Sequence, residues 1–141
     1  MLDRGPGPFV TVDACIDIDG RLVLVKRKFE PLGWALPGGF VDPGEELSVA
    51  CRREAREETG LDIELLSQLW TYSNPKRDKR KHTISTVYAA RAQGEPKGDD
   101  DAAEARLFAK DELPWSELAF DHADIIRDYL KWKETGVRRA L

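Results

Sequence analysis

The chain has 141 residues, of which 41% are apolar and 34% charged, and a formal net charge of −4. That length suits one domain with its own core, and the lack of a basic excess excludes general nucleic-acid affinity. No apolar run approaches the ~20 residues of a membrane span, MLDRGPGPF lacks a signal peptide's apolar core, and Cys15 and Cys51 are too few for a disulfide framework; a cytoplasmic protein with two buried thiols is expected.

Residues 9–18, FVTVDACIDI, alternate apolar and polar side chains and read as a strand. Asp19-Gly20 is a two-residue hairpin turn, and residues 21–28 return as the antiparallel partner. Residues 31–43 are rich in Pro and Gly and read as loop with short extended pieces. Within them Pro37-Gly38-Gly39 is a backbone device, since glycine permits positive φ and close approach of main chain to a ligand. A helix is expected over residues 45–59, stopped by Gly60, with Leu47, Ala50, Cys51 and Ala55 on its buried side.

Residues 61–72 read as a bent strand and residues 83–91 as another, joined by the basic loop SNPKRDKRKH. A turn-rich connector follows at residues 93–101, then a short strand at 105–109 and a turn or short helix at 110–115. Residues 121–132 have helical periodicity with Asp121 as the cap, and residues 135–141 read as a short flexible tail. Strands around one central and one late helix indicate an α/β/α sandwich with a mixed β-sheet.

The chemistry concentrates in residues 39–61, GFVDPGEELSVACRREAREETGL. Glu54, Glu57 and Glu58 stand at i, i+3 and i+4, so a helix puts them on one face within roughly 6 Å of rise. Three carboxylates that close repel one another and favour a hard divalent cation. The ordinary alternative is a solvated helix face neutralised by Arg52, Arg53 and Arg56. Spacing decides between them. The window matches Gly-x5-Glu-x7-Arg-Glu-U-x-Glu-Glu-x-Gly-U at every fixed position, with Ala55 and Leu61 apolar, and so resembles the Nudix box.

The resemblance implies the Nudix fold, one Nudix domain over residues 1–141 with its box at 39–61, and hydrolysis of a nucleoside diphosphate linked to another moiety. It implies Mg²⁺, with Mn²⁺ as a substitute, on Glu54, Glu57, Glu58 and the carbonyl of Gly39. Glu57, Glu58 and the later acid Glu104 are the candidates for the catalytic base, with Asp99, Asp100 and Asp101 competing for the place of Glu104. Arg53 joins the catalytic set as an orienting cation, and Glu45 is its support.

FVTVDACIDIDGRLVLVKRK, GWALPGGFVDPGE, YSNPKRDKRKHTIS and LAFDHADIIRDYL extend the likeness over residues 8–133. Together they resemble the small prokaryotic ADP-ribose pyrophosphatases, in which a proline beyond the box, here Pro75, accompanies ADP-ribose use. The resemblance implies cleavage of ADP-ribose to AMP and ribose 5-phosphate by a homodimer, for which an apolar edge around the first strand is available. Arg77 and Arg80, in a loop that also carries Lys76, Lys79 and Lys81, are expected to meet phosphates or the terminal ribose. Gly38 is expected to line the substrate, and Trp34, with Phe40 and Tyr72, offers an aromatic face for which core packing competes. His82 and His122 lack metal-ligand spacing and read as hydrogen-bonding residues. A (d)NTP or oxidised-nucleotide pyrophosphohydrolase is the enzymatic alternative. A non-catalytic nucleotide-binding regulatory module is the alternative of another class.

Overall fold

The computed structural model describes residues 5–97 and 104–140, so Asp99, Asp100 and Asp101 lie outside the described residues. The alternating segment forms β1 (Phe9–Ile18), and the turn at Asp19-Gly20 takes φ of 52° and 83°, as a two-residue hairpin requires. The return strand is β2 (Arg21–Arg27). The Pro/Gly-rich stretch contains two three-residue strands, β3 (Gly33–Ala35) and β4 (Gly38–Phe40). The helix of the acidic window is α1 (Leu47–Thr59), ended by Gly60 in the left-handed conformation at φ 71°. Then come β5 (Glu64–Tyr72), β6 (Thr83–Arg91), β7 (Ala105–Phe108), two 3-10 turns at Lys110–Glu112 and Trp115–Glu117, and α2 (His122–Thr135). The bend expected in β5 is real: its pairing with β6 shifts register between Leu65 and Ser67 and again between Gln68 and Trp70.

The strands make one mixed sheet in the order β3-β2-β1-β6-β5, with β4 also on β1 and β7 on β2. β1 runs parallel to β6 along its whole length and is buried on both faces, as central parallel strands are. Period-2 alternation divides its side chains between two cores. Val12, Ala14, Ile16 and Ile18 pack with Ala50, Cys51 and Ala55 of α1. Cys15 faces the other way, with Leu22, Leu24, Val87 and the α2 residues Ile125, Ile126 and Tyr129. Helices on both faces give the α/β/α sandwich. Ile125 and Ile126 are fully buried, and each such side chain contributes roughly 1.5–3 kcal/mol.

Two expectations are corrected. β1 is no dimer edge, because β6 takes one side of it and β2 and β4 the other. The last helix runs to Thr135 and ends at Gly136, and Asp121 makes no side-chain capping bond there; its carboxylate is held by Arg77 instead. Among the described residues no helix is long and apolar enough to cross a membrane.

One irregularity of the sheet prepares the site. β2 leaves β1 after only two residue pairs, Asp17↔Leu22 and Ile18↔Arg21. Further along, β4 takes the vacated edge, pairing Thr11↔Phe40, Val12↔Gly39 and Asp13↔Gly38. Between β4 and the far end of β2 the structure opens into a cleft.

Candidate active site

The cleft encloses about 470 Å³. Thr11 and Asp13 of β1, Val25, Lys26 and Arg27 of β2 and Gly38, Gly39 and Phe40 of β4 line it, with Glu54 and Glu58 of α1, and Arg77, Asp78, Arg80, Phe120 and His122 arrive from later in the chain.

Its acidic wall follows from helical geometry. Glu54 and Glu58 are one turn apart on α1, and the Glu58 carboxylate accepts the Gly38 N–H at 2.9 Å. Burial, more than the neighbouring charges, raises Glu54 to about 7 and Glu58 to about 8. The glycines matter for closeness rather than for positive φ, which neither Gly38 nor Gly39 adopts. A Cβ on Gly39 would lie 2.6 Å from the Glu54 carboxyl carbon, and one on Gly38 would lie 2.3 Å from Asp13 Oδ1.

Arg53 organises the outer side of this wall. Its Nε and Nη2 donate to the two oxygens of Glu45 at 2.7 and 2.9 Å, and Nη2 also donates to the Phe40 carbonyl at 3.1 Å. Its Nη1 donates to Glu54 at 3.0 Å and reaches Glu57 at 3.3 Å. These bonds hold the Glu45 carboxyl down to about 2 and raise Arg53 above its ordinary range, Glu45 being the main cause. The three box glutamates therefore divide: Glu54 and Glu58 face the cleft, while Glu57 is 55% exposed beside Arg53 and is not part of the cleft wall. Among the described residues no three His, Cys, Asp or Glu side chains converge tightly enough to cage a metal ion.

The opposite wall is basic and aromatic. Arg80 donates from Nε and Nη2 to the two oxygens of Asp78 at 3.0 and 2.9 Å. Burial opposes ionisation of Asp78, but these bonds still hold its carboxyl below the usual range. Arg77 lines the cleft with its guanidinium committed elsewhere: Nε and Nη2 clamp Asp121 at 3.0 and 2.8 Å and Nη1 donates to the Thr83 hydroxyl at 2.6 Å. Arg77 thus ties the basic loop to the start of α2 while its side chain lines the cleft.

Other expectations are redistributed. Trp34 is 7% exposed and packs edge-on to Phe108 at 4.9 Å, away from the cleft wall. Tyr72 is buried and donates its hydroxyl to Asp128 at 2.7 Å. Glu104 is outside the cleft and receives Arg106 at 3.0 Å. His82 bonds the Ser73 carbonyl at 2.9 Å, and both cysteines are buried.

Sequence reasoning missed the cleft floor. Asp13 is buried and accepts the Ser85 hydroxyl at 2.5 Å; burial raises it to about 7. His122 accepts the Leu36 N–H on Nδ1 at 3.0 Å, which leaves the ring proton on Nε2, 3.8 Å from Asp13 Oδ1. Burial, then the charges of Arg77 and Arg27, lowers His122 to about 3. This is a contact between groups pushed toward their neutral forms, not an ion pair. The available signal was parity: Asp13 occupies the same inward register as Cys15, where an acid is costly unless hydrogen-bonded.

The described residues leave no buried side-chain nitrogen or oxygen without a hydrogen-bond partner. The arrangement can therefore hold a polyanion: a carboxylate ledge for cations on one side, fixed guanidinia on the other, and a rigid polar floor between.

A NUDIX domain model matches residues 8–132. The ADP-ribose pyrophosphatase of Methanocaldococcus jannaschii is 48% identical over 129 residues, which are 89% of this chain and 75% of that protein. The crystal structure of a NUDIX hydrolase from Nitrosomonas europaea superposes with a TM-score of 0.83 at 25% identity, covering 96% of this chain and 77% of that one. The NUDIX domain of Shewanella oneidensis NrtR, solved in complex with ADP ribose, superposes with a TM-score of 0.78 at 28% identity, covering 89% and 88% of the two chains.

Proposed function

Because the chain belongs to the NUDIX domain family of hydrolases, we propose that it hydrolyses a nucleoside diphosphate linked to another moiety, with ADP-ribose as substrate and AMP and ribose 5-phosphate as products. One observation carries the reading: a single cleft sets Glu54 and Glu58 against Arg27 and Arg80. Opposed walls of opposite charge suit a ligand whose middle is a diphosphate, bound through cations on one side and directly on the other. The 48% identity with an ADP-ribose pyrophosphatase supports the choice of substrate.

The donors on this wall fit a hard divalent ion. Burial makes ionised Glu54 and Glu58 unfavourable, and a bound cation offsets that cost. We assign Mg²⁺, with Mn²⁺ as substitute, to Glu54, Glu58 and the Gly39 carbonyl on this wall, with Glu57 joining from the exposed rim beside Arg53. Such an ion neutralises phosphate oxygens and eases deprotonation of the attacking water. Glu45 fixes Arg53, and Arg53 orients Glu54 and Glu57. The domain reading of residues 1–141, the cytoplasmic location and the homodimer rest on composition and on the family likeness.

Incubation with Mg²⁺ and a substrate panel tests the proposal. AMP and ribose 5-phosphate from ADP-ribose are expected. Pyrophosphate from dGTP with ADP-ribose untouched would make the chain a nucleotide-pool enzyme instead. The NrtR structure motivates a second reading, a nucleotide-binding regulatory module, since that NUDIX domain was solved holding ADP ribose. Tight binding of ADP-ribose without turnover would select it.

A further inference from the structure

Glu58 leans on a backbone stretch that is held from the far end of the chain. Leu36 is 2% exposed and lies just past the pairing of β3 with β2, which ends at Val25↔Ala35. Its N–H is buried beyond the reach of a partner strand, a costly state unless a side chain accepts it. Pro37 has no N–H to offer. The next amide, that of Gly38, donates to Glu58 at 2.9 Å. The Leu36 amide donates to His122 Nδ1 at 3.0 Å. A carboxylate of α1 and an imidazole of α2 thus receive the two successive amides between β3 and β4.

His122 is itself fastened on several sides. Its own N–H bonds the Ala119 carbonyl at 3.1 Å, and the Ala119 N–H bonds the Trp34 carbonyl at 2.8 Å. Trp34 and Leu118 form a parallel bridge. The second ring nitrogen, Nε2, stands 3.8 Å from Asp13 Oδ1. Asp13 is fixed in turn by the Ser85 hydroxyl and is the register partner of Gly38. There is no slack at that pair, since a Cβ on Gly38 would strike both the Val12 carbonyl and Asp13 Oδ1. A displaced imidazole would be felt at Gly38 from two directions: along the chain from Leu36 and across the sheet from Asp13. Burial, lowering His122 to about 3, keeps the ring neutral and its Nδ1 lone pair free to accept.

We propose that His122 is a positioning residue for the acidic wall: by holding the Leu36 N–H it sets the path of residues 36–39, and with it the placement of the Gly39 carbonyl and the Glu58 carboxylate. This rests on the assignment of a divalent ion to that wall. His122 acts on the ion through one backbone amide and without touching it, as outer partners of metal ligands commonly do.

The test compares the full wild-type chain with three variants, each checked by thermal melting. His122→Asn keeps an acceptor at the place of Nδ1. His122→Phe keeps a ring and removes the acceptor. Tyr72→Phe loosens the same helix by removing the 2.7 Å bond to Asp128 and leaves the Leu36 amide its acceptor. Mn²⁺ binding is titrated by electron paramagnetic resonance, and amide signals are followed by ¹⁵N NMR in metal-free protein. His122→Phe is expected to weaken Mn²⁺ binding about tenfold or more and to shift the Gly38 amide. His122→Asn and Tyr72→Phe should stay within about threefold of wild type. The Gly60 amide, bonded to the Arg56 carbonyl at 2.9 Å, should not move in any of them. Should His122→Phe fail to fold, wild type carries the test: added Mg²⁺ should shift the Leu36 amide and His122 Nδ1 together with Gly38. Wild-type Mn²⁺ affinity in His122→Phe, or an equal loss in His122→Asn or Tyr72→Phe, overturns the proposal. So does a Mg²⁺ titration that moves Gly38 and leaves Leu36 and His122 still, or a loss of ADP-ribose affinity with Mn²⁺ binding intact. A wild type that binds no Mn²⁺ ends the metal assignment itself, and the Gly38 shift in His122→Phe then decides the positioning role alone.

Discussion

The two walls of the cleft are built in different ways. The acidic wall comes from one helix, in which Glu54 and Glu58 sit a single turn apart and Arg53 binds Glu45, Glu54 and Glu57 together. The basic wall is collected from three places: Arg27 from β2, Arg77, Asp78 and Arg80 from the loop between β5 and β6, and Phe120 and His122 from the entry to α2. The first needs α1 and the neighbouring β4 and turn, through the Glu58 bond to the Gly38 N–H and the Arg53 bonds to the Phe40 carbonyl and Glu45. The second needs the whole fold, because its members meet only through contacts between residues tens of positions apart, such as Arg77 with Asp121. Substitutions in the acidic wall should therefore cost activity and leave the fold intact, whereas those at the struts of the basic wall should cost stability.

Glu58→Gln tests the first half of that contrast most severely. We expect kcat for ADP-ribose to fall roughly 10²–10³-fold with an unchanged or higher melting temperature, since a buried carboxyl that is costly to ionise is replaced by a neutral amide. A loss below about tenfold would show that the reaction does not depend on this wall. Arg77→Met tests the second half. The Arg77 and Asp121 side chains are 5% and 18% exposed, and leaving one partner of such a pair unmatched costs about 3–5 kcal/mol, readable by urea denaturation. Arg91→Gln, which breaks the exposed pair with Glu64, is the control and should leave the midpoint unchanged.

Proton and metal linkage sharpen the comparison. Glu54 and Glu58 are raised to about 7 and about 8. Their contribution to stability is fully present below the unfolded carboxylate value and is lost as pH rises through those two values. His122, lowered to about 3, runs the other way: its contribution is present above the ordinary histidine value and is lost on acidification. The useful reading is therefore the change caused by metal at fixed pH. Scanning calorimetry should show Mg²⁺ or Mn²⁺ raising the melting temperature more at about pH 8 than at about pH 5. Equal shifts at both would detach the two carboxylates from the ion. The smallest effect is expected at Glu104, whose side chain serves Arg106 outside the cleft; Glu104→Gln should keep kcat within about twofold, and a tenfold loss would return it to the site.

The same contrast decides what could be read from the chain before folding. α1, its Gly60 stop, the Asp19-Gly20 turn and the spans of β1 and β6 follow from local periodicity and turn chemistry. The Arg53–Glu57 contact belongs to the same class, being i, i+4 on α1, whereas Glu45 precedes the helix and meets Arg53 only through the turn that leads into it. Arg27, Phe120 and Asp78 carry no such mark. Arg27 ends a strand beside two lysines, and only the splaying of β2 from β1 turns it into a cleft residue. Arg77 showed its charge but not its commitment to Asp121, because the loop's path to α2 is a tertiary fact. Trp34 left two readings open, ligand face or core packing, because aromatic character says nothing about which side of a three-residue strand faces the core.

The bidentate clamp of Asp121 by Arg77 has a consequence for motion. With its carboxylate spent on the loop, Asp121 gives the first turn of α2 no cap of its own. Lifting the loop and fraying that turn then become one cooperative opening, a subglobal unit inside an otherwise tight sandwich. Amide deuterium uptake in the loop and at the beginning of α2 would rise and fall together, and a ligand gripping Arg80 would slow both.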